Sequence, residues 1–374
     1  MMQLTLLEPE PFVPMPSGTT HYLAALQNKP GELEALRHAS EETWSRLTPL
    51  LHIVGRRAQP PAFRAENVTA WVRGIADAVG AHPLYLDVMR LDPSHPVTTT
   101  KGVVPVLERI YWAARRKLLK VVPVVSVGQS TPAHLALVRD AVERDGRGVA
   151  LRYPIRTLAL TAPKLKAYIT QVLTAVGTDA CSADLLIDLA YLDPDVEVRA
   201  EDLAPAITGA LEVGAWRNVV LLGSSIPSMM SCIPEGTVGT LPRREWDIWQ
   251  AVRSAGLPRM PSYGDYAIQH PLPPHDGGGP SMRANIRYTV DEVTLVARGR
   301  GSVLQEGKEQ YVGLCQELTA RSEFAGGAYT WGDGLIEDCS AGLEEPGAQN
   351  VWRGAGTSHH LRFVTDQLRR LTAA

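Results

Sequence analysis

The sequence predicts a single (β/α)8 barrel of the TIM type with an added C-terminal hairpin and helix. Short apolar runs bounded by turn residues recur about eight times from His21 to Tyr266, and most are separated by segments of helical period. The fourth run is β-branched almost throughout, as a strand buried on both faces should be. The 374 residues exceed the ~250 of a typical barrel, which leaves room for extra elements.

Pro9, Pro11, Pro14 and Pro16 mark an extended arm over residues 1–20, and the barrel is assigned to 21–374. The first strand is read at His21–Leu26. Pro30 suits a helix start, and Leu33, Leu36 and Trp44 share a face of one helix over Gly31–Arg46. The second strand is Thr48–Val54, with a helix over Glu66–Val79 behind it. Leu84–Met89 is the third strand, followed by a helix at Val103–Lys117. Lys120–Val127 is the fourth strand, and the helix Pro132–Val142 ends before Asp145-Gly146. Gly148–Tyr153, Asp184–Leu189 and Asn218–Ser225 are the next three strands, with helices at Ala162–Leu173, Ala200–Leu211 and Arg243–Ala255. Met260–Tyr266 is the eighth.

Beyond it, Pro271–Pro280 is a Pro/Gly loop. The runs 284–290 and 292–298 form a hairpin around Asp291. A helix at Glu306–Thr319 is expected to complete the ring, with the last helix, 358–371, packed outside it.

A hydrophobic content of 45% with 21% charged residues fits a soluble globular chain. The net charge of −3 and the scattered Lys and Arg argue against a nucleic-acid partner. Apolar runs fall short of the ~20 residues of a membrane span, and the N-terminus lacks the basic region of a signal peptide. Cys181, Cys232, Cys315 and Cys339 are far apart, as free thiols of a cytoplasmic protein would be.

A barrel of this kind carries its chemistry at the C-terminal ends of its strands. The polar residues expected there include Lys29, Glu32, Asp87, Arg90, Asp92, Ser126, Gln129, Arg152, Arg156, Asp188, Ser224, Asp265 and Tyr266. Arg90, Arg152 and Arg156 with Lys29 either grip an anion or pair with Asp87, Asp188 and Asp265 in an ion network. Asp188 lies in an otherwise apolar strand, where a carboxylate is costly unless paired or used for proton transfer; Asp265 invites the same two readings.

No metal site is expected: His21 is at the wrong rim, His52 reads as mid-strand, and His359 and His360 are adjacent rather than one turn apart. No cofactor is assigned. Gly223-Ser224-Ser225 lacks the nucleophile-elbow pattern, and Gly332-Asp333-Gly334 and Asp276–Gly279 read as turns rather than phosphate loops. Thr357 or Ser358 is expected to cap a helix, with His359 and His360 in its first turn.

Four blocks carry a family resemblance: Tyr22-x6-Lys29-x-Gly31-Glu32-x2-Ala35-Leu36; Thr48-Pro49-Leu50; Tyr263-Gly264-Asp265-Tyr266; and Trp352-Arg353-x2-Gly356-Thr357-x-His359-His360. From about Tyr22 to Leu361 the chain resembles the phage-related beta protein family. The resemblance implies no established reaction. It implies Lys29, Glu32, Asp265, Tyr266, Trp352, Arg353, His359 and His360 as positions to test, with the tail folding back so that Arg353 or His359 reaches the rim.

Two functions follow as expectations. One is an enzyme or binding barrel for a small anionic, phosphate- or nucleotide-like ligand: Arg90, Arg152 and Arg156 hold the anion, and Lys29, Asp188 or Asp265 moves a proton. The alternative is a non-catalytic interaction protein in phage–host conflict, with a protein partner. The oligomeric state is not encoded in any pattern we find.

Overall fold

Eight parallel strands close into a ring in a computed structural model that describes residues 18, 20–54, 62–88, 90–156, 160–272 and 283–373. Most of the expected N-terminal arm, Met89 of the third predicted strand, and residues 273–280 of the Pro/Gly loop with Asp276–Gly279 lie outside the described residues.

In chain order the elements begin with β1 (Tyr22–Gln27), α1 (Pro30–Arg37), α2 (Glu41–Trp44), β2 (Leu47–His52), β3 (Phe63–Arg64), α3 (Ala65–Val79) and β4 (Pro83–Asp87). They continue with β5 (Pro96–Thr99), β6 (Gly102–Pro105), α4 (Val106–Arg116), β7 (Lys120–Ser126), α5 (Pro132–Asp145), β8 (Val149–Pro154) and α6 (Ala162–Ala175). Then come β9 (Ala183–Tyr191), α7 (Ala200–Leu211), β10 (Asn218–Ser224), β11 (Thr237–Pro242), α8 (Arg244–Arg253) and β12 (Ser262–Asp265). The chain ends with β13 (Asn285–Thr289), β14 (Val293–Arg298), α9 (Val303–Glu306), α10 (Gln310–Thr319), α11 (Trp331–Ser340) and α12 (Gln349–Ala373). The ring runs β1-β12-β10-β9-β8-β7-β4-β2.

The barrel interior is filled by Leu23, Ala25, Leu50, Tyr85, Val122, Val124, Ala150, Leu186, Val220 and Leu222. Burying each large aliphatic chain there contributes roughly 1.5–3 kcal/mol. Strand alternation carries the same inward face two residues further, to Gln27, His52, Asp87, Ser126, Arg152, Asp188 and Ser224. This polar layer is the floor of the C-terminal mouth. At the other end Arg217 pairs with Asp184, and Asn218 donates to the same carboxylate at 3.1 Å.

Several expectations are corrected. The helix read over 31–46 is two helices, because the Ser40 hydroxyl accepts from the Thr43 N–H and starts α2 anew. Residues 103–105 belong to β6, which pairs antiparallel with β5. The 306–319 segment does not complete the ring: α10 packs on β13, β14 and α11. That place is taken by α12, which lies against α1 and touches β1. It starts at Gln349 rather than 358, so Thr357 and Ser358 are interior helical residues, not caps. Gly332-Asp333-Gly334 is part of α11, not a turn. The hairpin β13–β14 gains β11 as a third strand, and these elements share an apolar cluster with α10, α11 and the start of α12. Helix α5 runs to Asp145, three residues past the expected end at Val142, and stops at Gly146 in the left-handed conformation at φ 63°.

Candidate functional site

At the centre of the mouth Arg152 is held on three sides. Its Nε donates to Asp188 Oδ2 at 2.8 Å, Nη1 to Asp87 Oδ2 at 2.9 Å and Nη2 to the Tyr266 hydroxyl at 2.7 Å. Tyr266 in turn donates to Asp188 Oδ2 at 2.9 Å, and the Ala190 N–H donates to Oδ1 at 2.8 Å. Burial opposes the Arg152 charge, but Asp188, Tyr266 and Asp87 keep it fully protonated. Burial pushes the Tyr266 phenol well above its ordinary range. His52, which ends β2 at this rim rather than sitting mid-strand, stacks parallel to Tyr266 at 6.0 Å and lies 3.2 Å from Asp87 Oδ2. Burial pulls its pKa down, so it is a neutral imidazole.

A second group lies toward α1 and α12. Glu32 is fully buried in the first turn of α1; Oε2 accepts from the Gln27 N–H and Oε1 has no partner among the described residues. Burial pushes its carboxyl up, against the pull of that N–H and of Arg353, Lys29 and Arg90. Burial lowers the Lys29 ammonium, and Arg353 and Arg90 lower it further. The Arg90 guanidinium is partly buried, and both Nη1 and Nη2 lack a partner among the described residues. Its pKa is drawn down by burial, with Arg152 adding to the fall and Tyr266, Asp87 and Glu32 opposing it.

The tail reaches this group through a helix crossing. A Cβ on Gly31 would overlap the Asn350 carbonyl, so only glycine lets α1 and α12 approach so closely. The crossing carries Arg353 to Lys29 and Glu32. Behind it Arg287, bound to the Ile268 carbonyl, is lowered to about 10 by burial and by Arg353.

Other predicted residues lie elsewhere. Asp265 does not join the mouth: it follows inward-facing Gly264 and points outward to α12. There it accepts from Tyr22 at 2.5 Å, Tyr263 at 2.9 Å and the Ala267 N–H at 2.8 Å, with His360 Nε2 3.0 Å away. His360 Nδ1 meets the Thr289 hydroxyl at 2.7 Å. His359 lies 3.0 Å from Asp333 Oδ1 and 2.8 Å from the Thr289 carbonyl. Trp352 stacks on Tyr311 at 4.9 Å and donates to the Gly347 carbonyl. Arg156 donates to the Tyr191 and Leu189 carbonyls at 2.6 and 3.3 Å. The mouth therefore unites Lys29, Glu32, Arg90, Arg152, Asp188, Tyr266 and Arg353, while Asp265, His359, His360, Trp352 and Arg156 fix structure around it.

Sequence reasoning missed His134. Its signal was Thr131-Pro132, a helix start directly after the fourth strand, which puts the first helical turn at the mouth. His134 is 1% exposed and neither ring nitrogen has a partner among the described residues. Burial lowers its pKa, with Asp87 opposing. It lines a cavity of about 330 Å3 together with Arg90, Leu91, Asp92, Pro93, Gln129 and Thr131.

The fold and this mouth define a parallel (β/α)8 barrel with a polar, cation-rich C-terminal rim. A model of the beta protein family matches residues 22–366, and the chain belongs to that family. A search of curated proteins gives no match. Among solved structures it is similar to a 2,3-dimethylmalate lyase of the PEP mutase/isocitrate lyase superfamily, at 12% identity over 66% of this chain and 76% of that one, with a TM-score of 0.34. It is also similar to dihydrodipicolinate synthase from Rhodopseudomonas palustris, at 12% identity over 55% and 65% of the two chains, with a TM-score of 0.30. A beta-N-acetylhexosaminidase matches at 6% identity over 68% of each chain, also with a TM-score of 0.30. No helix among the described residues is long and apolar enough to cross a membrane.

Proposed function

We propose that the barrel mouth binds, and processes, a small anionic molecule of phosphate- or nucleotide-like character. One observation carries the reading: both terminal nitrogens of Arg90 lack a partner among the described residues, although the group is partly buried near Lys29 and Glu32. Unpaired buried cations are costly, and a bound anion would offset that cost. Glu32 is the carboxylate placed among them, and burial holds its proton on to higher pH. Glu32 and Lys29 are therefore the pair suited to exchange a proton with the ligand. Asp188 acts here by holding Arg152 and Tyr266 in place. We further place the protein in the cytoplasm, where the free thiols of Cys181, Cys232, Cys315 and Cys339 would persist, and in the phage-related setting that the resemblance implies.

Thermal unfolding with inorganic phosphate, sugar phosphates and nucleotides tests this. A binder present at a hundred times its dissociation constant adds about 2.7 kcal/mol. The shift should vanish in Arg90→Met and survive in the exposed control Arg139→Ala. No shift with any anion would end the proposal.

A further inference from the structure

The 330 Å3 cavity beside Arg90 is not a uniform anion trap. Its lining includes the Arg90 guanidinium, whose terminal nitrogens have no partner among the described residues. The Asp92 carboxylate, the Gln129 amide and the His134 imidazole line it as well. A carboxylate accepts hydrogen bonds and repels a second negative charge, whereas an amide and a neutral imidazole each offer both a donor and an acceptor. Together they suit hydroxyl groups. Asp92 is held as an acceptor by the Ser94 N–H and hydroxyl, at 2.9 and 2.6 Å. Neither ring nitrogen of buried His134 has a partner among the described residues, and a site built to bond hydroxyls leaves such atoms unpaired until they are supplied. The volume is at the small end of the ~300–1,000 Å3 of ligand pockets, which suits a compact body rather than a whole nucleotide.

We infer that this cavity takes the neutral, hydroxyl-bearing body of the ligand whose anionic group sits on Arg90, so that the ligand is a sugar or polyol phosphate. The inference rests on the anion-binding reading of the mouth and narrows it. Recognition is divided: Arg90 and Lys29 take the phosphoryl group, while His134, Gln129 and Asp92 take hydroxyls.

Calorimetric titration of the full chain with inorganic phosphate, ribose and ribose 5-phosphate tests it. Ribose 5-phosphate should bind at least about tenfold tighter than inorganic phosphate, as two or three hydroxyl hydrogen bonds would provide. His134→Leu and Gln129→Ala should each cut that preference roughly threefold to tenfold and leave phosphate affinity unchanged. Gln129 is exposed, so its variant carries no folding risk. His134→Leu should keep or raise the melting temperature of the unliganded protein, an outcome a structural histidine would not give. Equal affinity for the two phosphates, or a preference untouched by both variants, overturns the inference alone provided phosphate still binds in an Arg90-dependent way. Absence of any phosphate binding removes the anion reading and this inference with it.

Discussion

Two buried polar clusters lie on either side of the β12–β1 wall, and they are built by opposite rules. Behind the wall Asp265 has four partners, and His360, His359 and Asp333 are likewise satisfied by Tyr22, Thr289, Tyr288 and Thr330. In the mouth, Glu32 Oε1, both Arg90 terminal nitrogens and both His134 ring nitrogens have no partner among the described residues. Glu32 and His134 are as deeply buried as Asp265 and His360, so burial does not distinguish a cement from a site. Saturation does. A saturated network rigidifies the fold, and an unsaturated one carries a standing cost that a ligand can relieve.

The contrast is broken most directly by deleting one carboxylate from each side. Asp265→Ala strands two phenols, an N–H and His360, and should cost about 3–5 kcal/mol in urea unfolding. Glu32→Gln keeps an acceptor for the Gln27 N–H and should cost less than about 1 kcal/mol. Equal losses would mean that the mouth is as structural as the Asp265 network.

The next effect is at Arg90. Arg90→Met removes a partly buried cation whose terminal nitrogens have no partner among the described residues, and it should leave the unliganded stability within about 1 kcal/mol of the wild type. It should abolish the roughly 2.7 kcal/mol gained from a saturating anion. A large loss without ligand would show that its nitrogens are satisfied in solution.

Acid sharpens the comparison in a different way, because buried neutral histidines occur on both sides and at the barrel foot. Burial lowers His52, His134 and His360, and it lowers His21 to about 4. In the unfolded chain His21 takes a proton near pH 6.5, whereas in the folded chain it resists until about 4. Stability is therefore complete above pH 6.5 and falls as pH drops toward 4. From His21 alone the loss between pH 7.5 and 5 should be about 2 kcal/mol. Melting temperatures across that range should fall in the wild type and fall less in His21→Gln. A flat profile would contradict the burial of these rings.

The barrel was legible because most of its strands carry a run of apolar residues, whereas apolar neighbours on both faces of β9 left the direction of Asp188 open. Asp265 was not legible. Strand β12 has four residues, and Tyr263 and Tyr266 flank the carboxylate on opposite faces, so either direction fits the pattern. The positive φ of 49° at Ala267 follows Tyr266 as the chain leaves the barrel, and nothing in an alanine announces it. The start of α12 was hidden for a related reason. Gly354 and Gly356 look like a loop before a Thr-Ser cap, yet they are helical glycines, kept small because α1 and β13 press on them. His134 could have been placed at the mouth from Thr131-Pro132, but its lack of partners depends on what the neighbouring strands fail to offer.

Arg156 gives the smallest test and the most specific one. The sequence grouped it with Arg90 and Arg152 as an anion ligand, and all three lie at or just beyond the ends of barrel strands. Its Nη1 is committed to the Tyr191 and Leu189 carbonyls, which ties the end of β8 to the end of β9. Arg156→Ala should cost about 1 kcal/mol of stability and leave the anion-induced thermal shift intact. Loss of the shift with unchanged stability would move the binding site across the mouth, toward the β8–β9 side. Loss of stability alone would show that a guanidinium at the rim serves the ligand only when the protein leaves its nitrogens free.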